Sequence, residues 1–178
     1  PVLPNVPVHD LVVQGREHDL VVGTHGRSLW IAEVGLVAQL TPEVRAQSLH
    51  VFPPDTTQHR SSWGTQSYTW SDPRESSLDL AYWTPATGTA RVRVLDGEGD
   101  EVRAWRDAAE PGLNLLTYDL RSDRALSEDA EAGEATGAFY LVPGEYVVEV
   151  TLDGVTSTAP LVVTPGPEPR SRDRKKMP

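Results

Sequence analysis

The chain has 178 residues, of which 38% are apolar, and it contains 14 Gly, 15 Pro and no Cys. The absence of Cys excludes disulfides and thiolate metal sites, and no stretch is long and apolar enough to span a membrane. The formal net charge is −10, and the basic segment Arg170–Lys176, with a charge of +4, leaves −14 for the rest, which argues against nucleic-acid binding.

Residues 1–35 predict a β-meander. Strands are expected at Val8–Val13, Leu20–Gly23 and Ser28–Glu33, separated by short polar turns. Each strand is apolar on both faces, so each needs to be covered on two sides. Three strands cannot supply this cover alone, and the sequence therefore predicts that neighbouring sheets or a second chain complete the structure.

Residues 36–76 predict a connector. The sequence Thr-Pro-Glu at 41–43 combines an N-cap residue, a proline at the first helical position and an acidic first turn, which predicts a short helix over Pro42–Gln47. His50–Phe52 predicts a strand. The polar, aromatic stretch Ser61–Pro73 predicts a loop.

Residues 77–165 predict a second module made of short strands separated by turns. Five strands are expected before the last hairpin, at Leu78–Trp83, Ala90–Leu95, Glu101–Trp105, Leu113–Leu120 and Phe139–Val142. Strand alternation directs seven side chains inward, which are Leu78, Leu80, Tyr82, Val92, Val94, Val102 and Ala104. The stretch Arg121–Gly137 is rich in Ser, Asp, Glu, Ala and Gly, and it predicts an exposed, mobile insertion.

The stretch Pro143–Pro165 predicts a hairpin that turns at Asp153-Gly154, since this dipeptide suits a two-residue loop with positive φ at both positions. A two-residue loop fixes the register and pairs Leu152 with Val155, Val150 with Ser157, Val148 with Ala159 and Tyr146 with Leu161. One face is then apolar and needs a second sheet to cover it. About seven short strands of this kind are typical of an immunoglobulin-like antiparallel β-sandwich over residues 77–165. Residues 166–178 lack apolar periodicity and are expected to be disordered.

Two groups of motifs resemble a known protein family. The segment LPNVPVHDLVV followed by DLVVGTHGRSLWI resembles the last blade of the BNR/YVTN-type β-propellers of the sortilin-like group, which are described as glycosyl hydrolases. Gly99–Arg103, Pro111–Arg121 and Pro143–Val150 resemble the immunoglobulin-like module that follows such propellers, which is similar to the sandwich of flagellar hook-capping proteins. The expected fold is all-β, with a propeller-blade fragment followed by the β-sandwich.

The resemblance implies a non-catalytic C-terminal accessory module that closes and caps the propeller of an exported bacterial protein, secreted or periplasmic. Its expected partners are the remaining blades, in the same polypeptide or in a second chain, and it implies no cofactor. The start at Pro1, without an initiating Met, is interpreted as a boundary within a longer polypeptide. A composite glycoside hydrolase site shared with the propeller stays open as an alternative, although this chain alone is not expected to be an enzyme.

Three sets of candidate site residues can be read from the sequence. His9, Asp10 and His25 could converge, but their spacing matches no metal-ligand motif, and a polar turn is the favoured interpretation. No catalytic residue is assigned. Glycoside hydrolysis needs two facing carboxylates, but alternation directs the candidates outward or to a strand end; they are Asp79, Asp119 and Glu149.

The third set is aromatic. Trp63, Tyr68 and Trp70 could form a stacking platform for the sugar rings of a polysaccharide, and Trp83 and Trp105 lie further along the chain. The competing interpretation, which is favoured, is that these rings pack the sandwich against the propeller. Carbohydrate binding is kept as the alternative function.

Overall fold

A computed structural model of the protein describes residues 5–16, 18–26, 29–127 and 131–166. Of these residues, 49% are in strands and 6% in helices, which confirms the prediction of an all-β fold. The chain divides into two compact units, Pro1–Ser48 and Leu49–Pro178. No helix in the described ranges has the length and hydropathy needed to cross a membrane. The expected disordered tail lies, apart from Gly166, outside the described residues.

The first unit contains the three predicted strands as one antiparallel sheet, in the order β1 (Val8–Gln14), β2 (Asp19–Thr24) and β3 (Leu29–Glu33). Two short helices follow, α1 (Gly35–Gln39) and α2 (Pro42–Arg45). Helix α1 was not predicted, and α2 ends before the predicted Gln47. The predicted cap of α2 is present, because the Thr41 hydroxyl accepts a hydrogen bond from the Val44 N–H at 3.4 Å.

This first sheet leaves apolar side chains exposed on both of its faces. Register places Ile31 on the same face as Val12, and Ile31 is 67% exposed. Leu11 lies on the opposite face, beside Val22, and is 59% exposed. Only Val22 among the described residues of this sheet is buried. The sheet is therefore apolar on both faces, as the sequence indicated, but most of these apolar side chains are not buried.

The described residues of the second unit form ten strands in three sheets. The five-stranded sheet has the order β5-β13-β12-β7-β8, a three-stranded sheet has the order β4-β6-β9, and β10 pairs with β11. All pairs are antiparallel except β5 with β13. The strands are β4 (His50–Phe52), β5 (Thr57–Gln58), β6 (Leu78–Thr84), β7 (Gly88–Leu95), β8 (Glu101–Ala109), β9 (Gly112–Tyr118), β10 (Arg121–Ser122), β11 (Phe139–Tyr140), β12 (Gly144–Leu152) and β13 (Val155–Thr164).

The β12–β13 hairpin has the predicted turn and register. Asp153 and Gly154 have φ of 49° and 81°, and the pairing runs from Leu152 opposite Val155 to Gly144 opposite Val163. Alternate residues of this hairpin are therefore buried, as the sequence predicted.

One hydrophobic cluster forms the core of the second unit. Val92 and Val150 enter it from the five-stranded sheet, and Leu80 and Tyr82 enter it from the three-stranded sheet. Leu120, in the connection after β9, is fully buried there too. The two sheets therefore cover each other's apolar faces, which is the cover that the hairpin alone lacked.

The prediction that Ala104 faces inward is wrong, because the β7–β8 ladder contains a register shift. Leu95 pairs with Glu101 while Val94 pairs with Arg103, so that Val102 is an extra residue in β8. After this register shift, the alternation of inward-facing and outward-facing side chains in β8 is the reverse of the predicted one. Trp105 pairs with Val92 and packs against the core, whereas Ala104 pairs with the outward-facing Arg93.

The insertion predicted over Arg121–Gly137 is exposed over most of its described residues, as expected, but it makes specific contacts at both ends that were not predicted. Strand β10 pairs with β11, and Ser122 is buried. At the other end the backbone of Gly133 packs so closely on Gly64 that a Cβ on either residue would meet the other's Cα at 2.8–2.9 Å. Residues 128–130 lie outside the described residues.

Replacing Gly154 with Ala is expected to lower the free energy of unfolding by about 1 kcal/mol, because an L side chain disfavours positive φ. A Cβ there would meet no atom within 4 Å, so the backbone conformation alone sets the cost. Chemical denaturation measures the change.

The matched control is Gly97→Ala, in another turn. Its Cβ would make only an ordinary contact, 3.9 Å from the Glu145 carbonyl oxygen, and its φ lies outside the left-handed region. This variant should change stability by less than about 0.5 kcal/mol. Equal losses in the two variants would contradict the assigned turn.

Candidate functional site

The aromatic stretch forms a closed loop on the second unit. The Gly64 N–H donates to the Arg74 carbonyl and the Arg74 N–H donates to the Thr65 carbonyl, each at 2.9 Å. These two hydrogen bonds join the ends of the loop. Close packing on Gly133 fixes its base, since Gly64 has a φ of 71° and no room for a side chain.

Tyr68 and Trp70 lie together at the tip of this loop. Their ring centroids are 5.2 Å apart and the ring planes differ by 6°, so the rings stack. They are 63% and 81% exposed, and Trp70 is the most exposed large apolar side chain among the described residues. The loop's own hydrogen bonds hold the tip, because the Ser71 hydroxyl accepts from the Tyr68 N–H and donates to its carbonyl. The Gln66 amide also donates to the Ser71 carbonyl.

Trp63, the third residue of the candidate platform, is placed differently. It is 9% exposed and belongs to the core cluster. His59 packs on its ring edge-to-face with a centroid distance of 5.1 Å, and Tyr140 lies on another side at 6.0 Å. The structure therefore brings Tyr68 and Trp70 together as an exposed pair and uses Trp63 in packing.

The two more distant tryptophans are also outside the pair. Trp105 stacks on Tyr118 with a centroid distance of 5.3 Å and packs against the core. Trp83 lies in β6, where it pairs with His50 and with Leu113.

A groove of about 510 Å³ opens beside the base of the loop. Its lining is mostly polar and comes from Thr57, Gln58, Arg60, Ser62, Trp63, Arg74, Glu75, Ser76 and Ser77. The sequence did not predict this groove. One wall contains Thr57 and Gln58 of β5, which pairs in parallel with β13, more than 100 positions away, and no local pattern signals this pairing.

The charged side chains of the groove are not equivalent. Arg121 Nη2 donates to both Glu75 carboxylate oxygens, at 2.8 and 2.9 Å, and Arg121 Nε lies 3.3 Å from Asp119, so Glu75 is paired with a guanidinium that it shares with Asp119. Arg74 donates through Nη2 to the Ser67 hydroxyl at 3.0 Å and keeps its full charge. Arg60 is exposed and has no ion pair with any described residue. The groove therefore offers two cations to a ligand.

The other candidate residues do not form a site. The His9 and His25 rings do approach each other, with centroids 5.0 Å apart, but the described residues contain no group of three His, Cys, Asp or Glu that could hold a metal. The three candidate carboxylates have separate partners. Asp79 accepts from Thr117, Asp119 lies beside Arg121, and Glu149 is paired with Arg93.

Comparison of the sequence with models of known protein families and with curated proteins finds no match. The resemblance to propeller proteins therefore stays a prediction.

Burial shifts the pKa of two side chains, Tyr82 and His59. The pKa of Tyr82 is raised to about 12 by burial and by the neighbouring Asp107 carboxylate, whose Oδ2 accepts from the tyrosine hydroxyl at 3.4 Å. The pKa of His59 is lowered below its usual 6.5 because the imidazole is partly buried against Trp63. Neither change is of the kind that creates a nucleophile or a general acid at neutral pH.

His59 is expected to make stability depend on pH. Its pKa is lower in the folded state than in the unfolded state, so its contribution is complete above about pH 6.5 and is lost as the pH falls through the folded value. The His59→Asn variant should lack this part of the pH dependence. The measurement is the free energy of unfolding of both proteins between pH 7.5 and about 5, above the carboxylate range. Parallel curves for the two proteins would contradict the expectation.

Proposed function

We propose that this chain is a non-catalytic accessory module of an exported protein. In the proposed arrangement, the sheet β1–β3 is the closing blade of a β-propeller, and the second unit is an immunoglobulin-like sandwich. The proposed partners are the remaining blades, in the same polypeptide or in a second chain, and the proposed location is secreted or periplasmic.

The observation that carries this proposal is the exposure of apolar side chains on both faces of β1–β3. Leu29 is 70% exposed and Ile31 67% exposed, and Val13 is exposed on the opposite face. Burying one such side chain gains about 1.5–3 kcal/mol. Neighbouring blades would cover both faces of a closing blade, which accounts for two-sided apolarity better than an ordinary half-exposed antiparallel sheet does.

The second unit supports the sandwich half of the proposal. Its two larger sheets contribute alternate side chains to a single cluster, and the central strands β7 and β12 are flanked on both sides. A unit with its own core can serve as a rigid attachment to a propeller without needing the propeller for stability.

The charged double variant Leu29→Lys/Ile31→Lys tests the proposed contact surface. In the wild-type chain we expect the apolar faces of β1–β3 to bind a hydrophobic dye and to promote self-association. The variant should reduce both the dye fluorescence and the mass measured by light scattering, because it places two charges on one face.

The matched control is Leu115→Lys in β9, since Leu115 is 65% exposed but lies on the second unit. It should leave dye binding and mass unchanged. A wild-type chain that binds no dye and is a monomer at all concentrations would contradict the proposal.

Carbohydrate binding is the second candidate function, and the stacked pair Tyr68–Trp70 favours it. Each ring uses one face against the other, so the outer faces remain available to a sugar ring. Hydrogen bonds within the loop hold the pair in place, which lowers the entropy that a ligand would have to remove. Exposing a pair of stacked rings to water also costs free energy, which is unfavourable for a surface that contacts no other molecule.

The Trp70→Ala variant should weaken saccharide binding by roughly threefold to tenfold, the equivalent of one lost aromatic contact. Tryptophan fluorescence or calorimetry with soluble oligosaccharides measures it. Leu115→Ala, another highly exposed apolar residue, should have no effect. Unchanged affinity in Trp70→Ala would exclude the pair as the binding surface.

A further inference from the structure

We propose that the groove beside the aromatic loop binds an acidic saccharide, with a sugar carboxylate on Arg60 and Arg74 and a neighbouring ring on the outer face of Trp70. This inference rests on the carbohydrate-binding candidate and adds the chemical class of the ligand. It is independent of the proposed propeller contact, which involves the other unit of the chain.

The charge of the groove favours an anionic ligand. The whole chain carries −10, yet among the described residues that line the groove Glu75 alone has a carboxylate, and this carboxylate is paired with Arg121. Arg60 and Arg74 remain as two cations in the same concave surface. Two guanidinium groups on one concave surface attract a small anion, whereas the overall negative charge of the chain repels a long polyanion such as nucleic acid.

Arg74 connects the groove to the loop that carries the stacked pair. Arg74 closes the loop through its backbone and lines the groove. Its guanidinium then reaches Ser67, the residue before Tyr68. A ligand of several sugar units that binds at Arg74 can therefore extend onto the aromatic tip without leaving the loop.

The side chains that line the groove match the groups of an acidic sugar. A guanidinium binds a carboxylate through charge-assisted hydrogen bonds, often two in parallel. Ser62 and Ser77 add hydroxyl groups to the same surface, and these match the hydroxyls of a sugar. A neutral sugar would use the hydroxyls and the aromatic rings but would bring no anion to the two guanidinium groups, so uronic-acid units fit the whole surface better.

The experiment titrates the full chain with oligogalacturonates of four to eight units, using calorimetry. Malto-oligosaccharides of the same length provide neutral sugar rings, and short polyacrylate provides carboxylates without rings. We expect the oligogalacturonates to bind at least about tenfold more tightly than either comparison ligand, because only they use both the cations and the rings. Raising the NaCl concentration from 0.15 to 1 M should weaken this binding, since salt screens the charge contacts.

Two arginine variants locate the site. Arg60→Ala should weaken oligogalacturonate binding on the order of tenfold, and it leaves the loop's hydrogen bonds intact. Arg74→Lys retains the charge but loses the two-pronged geometry, so it should weaken binding less than Arg60→Ala does. Arg106→Ala is the matched control, because Arg106 is an exposed arginine on β8, at the opposite edge of the five-stranded sheet from the groove. It should leave the affinity unchanged.

Different outcomes would overturn different parts of the inference. Equal affinity for the neutral oligosaccharides would keep the aromatic platform and reject the acidic ligand. Equal affinity for polyacrylate, or an equal loss in Arg106→Ala, would reduce the effect to general charge attraction. No binding of any saccharide would remove both this inference and the carbohydrate-binding candidate, while the dye and mass measurements on β1–β3 would still decide the accessory-module proposal.

Discussion

The antiparallel pairing of β12 with β13 is the constraint on which the rest of the second unit depends. The two-residue turn at Asp153-Gly154 sets the register, and a slip by one residue would turn every buried side chain of both strands to the other face. Strand β12 then pairs with β7, and β13 pairs with β5, so the hairpin positions both halves of the five-stranded sheet. The β5 pairing also places Thr57 and Gln58 in the wall of the groove. The candidate site is therefore built on the outer edge of the same hairpin that orders the core.

Local patterns in the sequence were enough for much of this fold. Asp153-Gly154 carries its own turn geometry, and alternation in β6, β7 and β12 identified side chains that are buried. The errors arose where pairing between segments that are distant in sequence determines which side chains are buried. The register shift in β8 reverses alternation after Val102, and β10 lies in a stretch whose composition is that of a loop although it pairs with β11. Neither feature has a local signal, because each depends on which strand happens to lie opposite.

The candidate site, like the fold, could be predicted only in part from the sequence. The aromatic composition of residues 61–73 pointed to Trp63, Tyr68 and Trp70 together, but composition cannot separate an exposed ring from a buried one. The structure separates them, since Trp63 packs on Tyr140 while Tyr68 and Trp70 stack in solvent. The groove arginines were missed because neither Arg60 nor Arg74 belongs to a motif. The two hydrogen bonds that close the loop return the chain at Arg74 to the segment after Arg60, so that both arginines line the groove.

The central claim is that the second unit covers its own apolar surface whereas the β1–β3 sheet does not. Amide hydrogen–deuterium exchange of the full chain, resolved along the sequence, tests this most directly. The account predicts that amides in β7, β12 and β13 exchange only through global unfolding, and that amides of residues 8–33 exchange at least roughly tenfold faster through local opening. Equal protection of the two regions would show that β1–β3 is stabilised as fully as the core, and it would contradict the account.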